Sequence, residues 1–355
     1  MVPKPWLGII ADDFTGAVDV ATGITQVGHH VVIATAQQDL SQIQADVIVI
    51  ALKTRSIDSD QAVNVSLNAA QQLIEAGVDQ IYFKYCSTFD STSQGNIGPV
   101  SDALADLLDA NIVIFNPAFP ANGRVVRDGN LYVNDVLLED SPMRNHPLNP
   151  MTKSHLPTLL DQQSKYKSAT VPLTEIRSGL MSTLMKSANT SGTRYFVTDS
   201  ETENDLSLVA SECTIHPLVT GGSALAVALA AHRKPLESHL SSWSGTGRIA
   251  IIVGSTSAVT QRQVDHFRSV NPDNIYCLTW DEPNTTVSDA LAFLAGCDPH
   301  QPVLVTSYRS IEDVLELQAR FGTQEAAHMV EEANVTLAKE LVRQGITRLM
   351  IAGGE

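Results

Sequence analysis

Short runs of apolar residues alternate along the first half of the chain with longer segments in which apolar residues recur every three or four positions. Uninterrupted apolar runs are typical of strands buried on both faces of a parallel sheet, and the longer period is typical of amphipathic helices. We therefore predict an α/β fold with a mostly parallel sheet between layers of helices. The predicted strands cover residues 7–11, 30–34, 46–52, 80–85, 111–116, 195–198 and 215–219, and the predicted helices cover 16–27, 59–76, 99–110 and 224–232.

The alternation is interrupted between residues 117 and 152. Two short extended pieces, 124–126 and 131–133, flank an Asp-Gly pair at 128–129, a combination that favours a tight hairpin. A proline-rich stretch follows this hairpin. An irregular excursion of this kind in an α/β domain often forms a lid or a wall of a site, so we expect part of this segment near a ligand.

A second α/β pattern begins after residues 234–247, which are polar and rich in Ser and Gly. We predict two domains, 1–235 and 248–355, joined by a linker over 236–247, each with a mostly parallel sheet flanked by helices and with a cleft between them. The predicted strands of the second domain are 248–253, 274–278, 303–306 and 348–352, and its predicted helices are 258–270 and 325–345. Because a strand that leads into Gly-Gly normally continues into a loop and a helix, we expect this domain to be truncated at its C-terminus.

The chain has 355 residues, with 39 acidic and 23 basic side chains and a formal net charge of −16. An acidic surface repels phosphate backbones and anionic lipid, which argues against a nucleic-acid-binding or membrane-binding protein. The four cysteines lack metal-ligand spacing, and the N-terminus has neither a basic start nor a long apolar run. We therefore expect a cytoplasmic protein that acts on small molecules.

Asp12 and Asp13 directly follow the first predicted strand. Ligands of open parallel sheets bind along the carboxyl edge, where two neighbouring carboxylates can bind substrate hydroxyls, accept a proton or hold Mg²⁺. We identify both as candidate catalytic residues. The alternative is that an aspartate caps the helix that follows, which is a common use of Asp at this position.

The predicted strand 80–85 leads into a polar segment that contains Lys84, Ser87, Thr88 and Asp90. A lysine can neutralise a carboxylate or a phosphate, and hydroxyl groups can hydrogen-bond the rest of a ligand, so these four are candidate substrate-binding residues. The alternative is an ordinary Ser/Thr-rich turn with a solvated lysine.

The irregular region adds three candidates for substrate binding. Arg124 is a candidate fork for a carboxylate, since a guanidinium can bind both carboxylate oxygens. Asn145 and His146 lie further along the same region. A surface arginine and a structural histidine are the alternatives.

Three glycine- and serine-containing turns follow predicted strands. Glycines let the backbone approach phosphate oxygens, and N–H groups and hydroxyls can donate hydrogen bonds to them. None of the turns is a Walker A motif, and close strand-to-helix turns are the alternative interpretation. The candidates are Gly222 for substrate binding in the first domain and Ser255, Ser257, Gly353, Gly354 and Glu355 for cofactor binding in the second.

These segments together resemble the four-carbon acid sugar kinase family over the whole chain. The matching motifs are ADDFTGA at 11–17, FKYCSTFDST at 83–92, GNIGPV at 95–100, the NHP and PM segments within 145–151, VTGGS at 219–223, GSTSAVT at 254–260 and AGGE at 352–355. The KYCSTFDST form is similar to the 3-oxo-tetronate 4-kinase branch, and threonate or erythronate kinases of the same family are the alternative.

The resemblance implies a fold and an activity. It implies an N-terminal substrate domain, a C-terminal nucleotide domain, and transfer of a phosphoryl group from ATP, with Mg²⁺, to the C4 hydroxyl of a sugar acid. It also implies that Ser257 and residues 353–355 bind ATP. Family members continue past this GGE, so the nucleotide site is expected to be incomplete.

Two other classes of protein remain open from the residues alone. An NAD-dependent sugar acid dehydrogenase would use the second domain for its cofactor, but no GxGxxG follows a predicted strand. A binding protein could close around a sugar acid without chemistry. We expect a sugar acid and ATP as partners, with a homodimer as one option for the oligomeric state.

Overall fold

The computed structural model describes residues 4–35, 38–145, 150–235, 246–281, 285–308 and 310–353. The chain forms two compact units, residues 1–240 and 241–355. Most of the predicted linker, residues 236–245, lies outside the described residues. The α/β class is confirmed in both units, because the strands of each large sheet are parallel and alternate along the chain with helices.

The first unit contains eleven strands within the described residues. They are β1 (Leu7–Ala11), β2 (Val31–Thr35), β3 (Val47–Ala51), β4 (Gln80–Lys84), β5 (Val113–Asn116), β6 (Arg124–Arg127), β7 (Asn130–Val133), β8 (Val136–Leu137), β9 (Lys167–Val171), β10 (Thr193–Thr198) and β11 (Leu218–Gly221). Eight of them form one parallel sheet in the order β2-β3-β1-β4-β11-β5-β10-β9. All residues of β1, β3 and β4 are buried, as the apolar sequences of β1 and β3 predict, and in β4 the polar Gln80 and Lys84 are buried as well.

Helices cover both faces of this sheet. They are α1 (Phe14–Gln26), α2 (Ser59–Glu75), α3 (Ile97–Leu107), α4 (Leu156–Gln163), α5 (Leu173–Arg177), α6 (Met181–Thr190), α7 (Glu203–Cys213) and α8 (Ser223–Ala231). Helices α1 and α8 pack against each other so closely that a Cβ on Gly23 would lie 2.5 Å from Val227. The sequence analysis did not predict α4 to α7 or the edge strand β9.

The predicted Asp-Gly hairpin is confirmed. Asp128 and Gly129 connect β6 and β7 with φ values of 49° and 74°, which are the positive values that a two-residue hairpin turn requires. Strand β8 extends the hairpin to a three-stranded antiparallel sheet. The carboxylate of Asp199 accepts hydrogen bonds from the backbone N–H groups of both turn residues, at 2.9 Å each, and so ties the hairpin to the end of β10.

The second unit contains a parallel sheet in the order β13-β14-β12-β15 within its described residues. The strands are β12 (Ile249–Val253), β13 (Ile275–Cys277), β14 (Val303–Thr306) and β15 (Arg348–Ala352), and the helices are α9 (Ala258–Val270), α10 (Thr286–Gly296), α11 (Ile311–Phe321) and α12 (Thr323–Arg343). All four strands were predicted, whereas α10 and α11 were not. No helix within the described residues has the length and apolar composition that crossing a bilayer requires.

Candidate active site

The order of the strands identifies the crevice where a ligand of the first sheet would bind. From β1 the chain leads to the β2 edge of the sheet, and after β4 it leads to the opposite edge. Strands β1 and β4 are neighbours, and Ala11 at the end of β1 is paired with Lys84 at the end of β4. Open α/β sheets bind ligands where the connections diverge in this way. Asp12, Asp13 and Lys84 all lie at this point.

Asp13 is the N-cap of α1. Its backbone is extended, and its Oδ1 accepts a hydrogen bond of 2.9 Å from the N–H of Gly16. The capping interpretation therefore holds for Asp13, but capping uses only one carboxylate oxygen. Within the described ranges, no hydrogen bond or ion pair reaches the second oxygen, and 24% of the side chain is exposed.

Asp12 is bound by a residue that the sequence analysis missed. The Nε and Nη2 atoms of Arg55 donate one hydrogen bond of 2.9 Å to each oxygen of Asp12. Nη2 also lies 2.8 Å from Oδ1 of Asp13, and Nη1 lies 3.8 Å from Asp90. Burial raises the pKa of Asp12, while the adjacent guanidinium opposes that shift. One cation thus joins three carboxylates.

Arg55 follows β3, whose carboxyl end lies beside that of β1. Asn96 holds the segment that carries Arg55, because its side-chain amide donates to the carbonyls of Thr54 at 2.7 Å and Ile57 at 2.9 Å. A basic residue just after a buried strand was the sequence signal that could have revealed Arg55.

Lys84 is a buried cation at the same edge. Only 4% of its surface is exposed, and no hydrogen bond or ion pair to its ammonium group occurs among the described residues. A Cβ on Gly16 would lie 2.3 Å from its Nζ, so this ammonium lies against the first turn of α1, where only glycine leaves it room. Its charge opposes the raised pKa of Asp12, but none of its N–H groups is hydrogen-bonded within the described residues, and buried donors without an acceptor favour an anionic ligand here.

The segment after β4 is ordered by its own contacts. Phe89 is fully buried with a φ of 52° and packs edge-to-face on Tyr85 at 5.2 Å. The hydroxyl of Thr88 donates to Asp90 at 2.6 Å and lies 2.9 Å from the sulfur of Cys86. Burial raises the pKa of Cys86, so its thiol is protonated at neutral pH. Ser87 is half-buried in the turn.

The structure does not bring Arg124 to this cluster. Arg124 begins the hairpin, and its guanidinium donates to the carbonyl of Asn122. No contact within the described residues joins it to Asp12, Asp13 or Lys84, so the guanidinium of the aspartate pair is that of Arg55. Asn145 closes a 3₁₀ turn that begins at Pro142, and His146 lies outside the described residues.

Gly222 does not present free backbone groups, contrary to the interpretation of its turn as an open anion loop. Its N–H donates to the carbonyl of Asn116 at 3.0 Å, and its own carbonyl accepts from the hydroxyl of Tyr82 at 2.7 Å. The preceding Gly221 belongs to β11. The next residue, Ser223, starts α8 with a buried hydroxyl that has no partner among the described residues.

Three of the predicted cofactor-binding residues meet at the carboxyl edge of the second sheet. Ser257 caps α9, because its hydroxyl accepts a hydrogen bond of 3.2 Å from the N–H of Thr260. The N–H of Ser257 in turn donates to the hydroxyl of Ser255 at 3.2 Å. Gly353 has a φ of 143°, and a Cβ there would lie 3.2 Å from the N atom of Ser255. Gly354 and Glu355 lie outside the described residues.

A polar pair behind these loops was missed by the sequence analysis. Ser307 follows β14 and hydrogen-bonds to the side chain of Asn334, with contacts of 3.0 and 3.1 Å. The amide nitrogen of Asn334 would lie 3.6 Å from a Cβ on Gly254. No group of three or more His, Cys, Asp or Glu side chains suited to a metal ion occurs in the part of the chain that the structure describes.

Two family profiles match the chain. Residues 7–229 match a sugar-binding N-terminal domain, and residues 250–355 match a nucleotide-binding C-terminal domain. Together the two profiles cover the sheets and loops of both units.

Curated relatives match over nearly the full chain. A 3-oxo-tetronate kinase of Escherichia coli K12 is 39% identical over 98% of this chain and 92% of its own length. The enzymes of the same name from Salmonella typhimurium and Cupriavidus necator are 38% and 37% identical, over 98% and 99% of this chain and 86% and 84% of their own lengths.

Solved structures show the same fold. A crystal structure from Salmonella typhimurium LT2 has a TM-score of 0.86 at 36% identity, covering 98% of this chain and 85% of the other. A crystal structure of a Haemophilus influenzae protein has a TM-score of 0.78 at 34% identity, covering 98% of this chain and 86% of the other.

Proposed function

The chain belongs to the four-carbon acid sugar kinase family, and from this premise we propose that it transfers the γ-phosphoryl group of ATP to the C4 hydroxyl of 3-oxo-tetronate. The curated relatives named above are 3-oxo-tetronate kinases. The substrate has an anionic carboxylate at one end and the accepting hydroxyl at the other. A site for it therefore needs a cation and a proton acceptor a few bonds apart.

The observation that carries the proposal is the buried ammonium of Lys84 beside an aspartate with an open carboxylate oxygen. Lys84 forms no hydrogen bond or ion pair among the described residues, although its charge acts on Asp12, and Asp13 offers an oxygen that accepts no hydrogen bond there. A substrate carboxylate would neutralise Lys84, and the buried hydroxyl of Ser223 would add a donor at the neighbouring start of α8. An aspartate of the pair Asp12 and Asp13 would accept the proton of the C4 hydroxyl.

The remaining predicted substrate residues differ in how well their contacts support a role in binding. Thr88 and Asp90 lie in the ordered segment after β4, where their polar atoms can bind the middle hydroxyl or oxo groups. Ser87, Asn145 and His146 stay predictions. Gly222 stays a prediction, and both of its backbone groups form hydrogen bonds beside the start of α8. Arg124 also stays a prediction, and its guanidinium donates to the carbonyl of Asn122.

ATP would bind to the second unit at Ser255, Ser257 and Gly353, where hydroxyls and a close backbone approach suit phosphate oxygens. Mg²⁺ commonly binds through nucleotide phosphates plus one or two carboxylates, and when bound it supplies charge neutralisation of those phosphates. Positioning and charge neutralisation account for most of the rate acceleration in phosphoryl transfer. We place the reaction in the cytoplasm, in keeping with four cysteines that form no disulfide among the described residues.

A panel of four-carbon acids tests the proposal. The purified full-length protein is incubated with ATP, Mg²⁺ and 3-oxo-tetronate, threonate or erythronate, and ADP release is followed together with the phosphorylated product by mass spectrometry. We expect 3-oxo-tetronate to give the highest kcat/KM. A preference for threonate or erythronate would assign the chain to the other branch, and NAD reduction without ADP release would assign it to a dehydrogenase. Sedimentation analysis of the same sample tests the predicted homodimer.

A further inference from the structure

We propose that Asp13 is the base that accepts the proton of the C4 hydroxyl, and that Asp12 and Arg55 are positioning residues that hold Asp13. This inference rests on the proposed function, because it assigns roles within the same site. The two aspartates are adjacent in sequence and were equivalent candidates. Their surroundings make them different.

Asp12 is closed to a substrate. Each of its oxygens accepts a hydrogen bond of 2.9 Å from Arg55, and only 4% of the residue is exposed. The space on that side is a cavity of about 10 Å³ lined by Asp12, Arg55 and Asp90 among others. A cavity of that size holds about one water molecule. A four-carbon acid cannot reach Asp12 from this side.

Asp13 is held but open. The N–H of Gly16 and the Nη2 of Arg55 both contact its Oδ1, at 2.9 and 2.8 Å. These two contacts fix the rotation of the carboxylate, so that Oδ2 has a defined direction. Within the described residues Oδ2 accepts no hydrogen bond, and the side chain is 24% exposed. A base must come within hydrogen-bond reach of its proton, which Oδ2 can do.

Arg55 transmits the effect of Asp12 to Asp13. Its Nη2 contacts one oxygen of each aspartate, so the ion pair with Asp12 fixes the position from which Arg55 holds Asp13. The backbone of the Arg55 segment is in turn held by Asn96. Its contact with Asp13 is to Oδ1 and not to Oδ2, so we assign Arg55 a role that acts through Asp13.

The charged and titratable groups around Asp13 come from several elements. They are Arg55 and Asp12, Lys84 at the end of β4, and Cys86 and Asp90 in the segment that follows it. Two of these neighbours are cationic side chains and two are aspartates, so charges of both signs surround Asp13.

Proton transfer from the C4 hydroxyl accompanies phosphoryl transfer from ATP. Oδ2 of Asp13 takes the proton of the C4 hydroxyl as the oxygen forms a bond to the γ-phosphorus of ATP. The bond between that phosphorus and the β–γ bridging oxygen breaks, and its electron pair leaves with ADP. The products are the 4-phosphate, ADP and a protonated Asp13, which returns its proton to solvent before the next turnover.

The test measures kcat and KM between pH 5 and 9 for wild type, Asp13→Asn, Asp12→Asn, Arg55→Gln and Arg55→Lys. Asp13→Asn should lower kcat by roughly 10²–10⁴-fold, the usual contribution of a general base, and abolish the acid limb of the kcat profile. Asp12→Asn should lower kcat by only about tenfold and keep the acid limb, because it loosens the hold on Asp13 without removing the base. Arg55→Gln should also lower kcat by about tenfold with the KM for the acid near wild type, and Arg55→Lys should restore part of that loss.

Circular dichroism and melting curves identify any variant that does not fold, and kcat is compared at equal amounts of folded protein. Recovery of kcat in Arg55→Lys relative to Arg55→Gln then separates positioning from folding. An acid limb that persists in Asp13→Asn and disappears in Asp12→Asn would make Asp12 the base. A wild-type kcat in Arg55→Gln would remove Arg55 as a positioning residue.

A second measurement keeps this inference separate from the proposed function. In the free protein with ¹³C-labelled aspartate carboxyls, NMR at neutral pH observes the Asp13 carboxyl directly, with Asp13→Asn as the assignment control. We expect Arg55→Gln to change the chemical shift of that carboxyl, because it removes the 2.8 Å contact to Oδ1, and an unchanged chemical shift would contradict the coupling. A full-length wild-type protein that releases no ADP with any acid of the panel would overturn the kinase proposal instead, and the base assignment with it, while leaving the Arg55–Asp13 coupling measurable.

Discussion

The carboxyl edges of the two large sheets carry the two halves of the proposed reaction, and they are built from different groups. The edge of the first sheet holds charged side chains, Asp12 and Lys84, that are each 4% exposed. The edge of the second sheet holds hydroxyls and glycine backbone at Ser255, Ser257 and Gly353. A small acid offers few atoms, so charged groups must be fixed in place before it arrives. Triphosphate offers many oxygens, which backbone N–H groups suit.

Replacing Lys84 by Met should have the largest effect on recognition of the acid. A charge-assisted hydrogen bond contributes about 1.5–3 kcal/mol, so the KM for the sugar acid should rise by roughly 10–100-fold while the KM for ATP stays near wild type. Steady-state kinetics with each substrate varied in turn checks this. The matched control is Lys167→Met, an exposed lysine at the start of β9.

Lys84→Met also tests whether Lys84 contributes to the stability of the fold. Because the Lys84 ammonium is buried without a hydrogen bond or ion pair among the described residues, its desolvation offsets its attraction to Asp12, and its removal should change the free energy of unfolding of the ligand-free protein by no more than about 1 kcal/mol. Urea denaturation measures it. A marked loss of stability would show that Lys84 is a structural cation, and an unchanged KM for the acid would remove it from the carboxylate site.

Gly353→Ala should weaken ATP binding at the carboxyl edge of the second sheet. The φ of 143° is strained for any residue with a Cβ, and that Cβ would lie 3.2 Å from the N atom of Ser255. Backbone strain of this kind costs about 1–3 kcal/mol, so we expect the KM for ATP to rise by about tenfold with the KM for the acid unchanged. Gly296→Ala is the control, since Gly296 has an ordinary φ and a Cβ there meets nothing within 4 Å. Equal effects of the two substitutions would contradict the role of Gly353.

Asp205→Asn should change stability with no comparable effect on catalysis. Arg177 donates to both oxygens of Asp205 and, with the cap of α7, lowers the pKa of Asp205 to about 2. This pKa lies below the unfolded value, so the stabilisation is present above about pH 4 and is lost as the pH falls towards 2.

We expect Asp205→Asn to lower the free energy of unfolding by about 1–2 kcal/mol at pH 7, after allowance for the exposure of Arg177. The difference from wild type should shrink below pH 4. Urea titrations at pH 7, 5 and 3 measure the free energy of unfolding of both proteins. A difference between them that grows as the pH falls would contradict the predicted pH dependence.

Cys86→Ala should have the smallest effect. The thiol is protonated because burial raises its pKa, and its contact is with the hydroxyl of Thr88. We expect kcat to stay within about twofold of wild type, as for most substitutions that remove one weak contact. Assays before and after treatment with iodoacetamide complete this test. A large fall in kcat would reopen the question of a nucleophilic cysteine.

The sequence predicted the parts of the fold in which apolar runs are buried on both faces. The bounds of β1 and β14 were predicted for this reason, and all their described residues are buried. The bounds of β12, β13, β15 and α9 were predicted to within one residue from the hydrophobic pattern alone, although these elements are only partly buried. β9 was missed because it is a partly buried edge strand with the mixed sequence Lys-Ser-Ala-Thr-Val. β11 was placed too early because a glycine was taken as the end of a strand. Gly221 is within the strand, where a Cβ would lie 2.4 Å from the carbonyl oxygen of Asn116.

The site was predicted as far as it depends on strand ends. Asp12, Asp13 and Lys84 follow neighbouring strands, so parallel pairing alone brings them together. Arg55 was missed because its long side chain reaches back to the aspartates from a segment without a recognisable motif. The free oxygen of Asp13 and the unpaired ammonium of Lys84 depend on side-chain geometry, which no sequence pattern contains.

Phe89 has a consequence for the entropy of binding. Its ring is fully buried and packs on Tyr85, and this burial holds a left-handed backbone that phenylalanine rarely adopts. Fixing a flexible residue on binding costs about 1–2 kcal/mol of conformational entropy. The polar residues beside Phe89 are already ordered before any ligand arrives, so a weakly interacting four-carbon molecule need not supply that free energy. The loop can therefore change its polar side chains during evolution, and with them the acid it selects, without losing its shape.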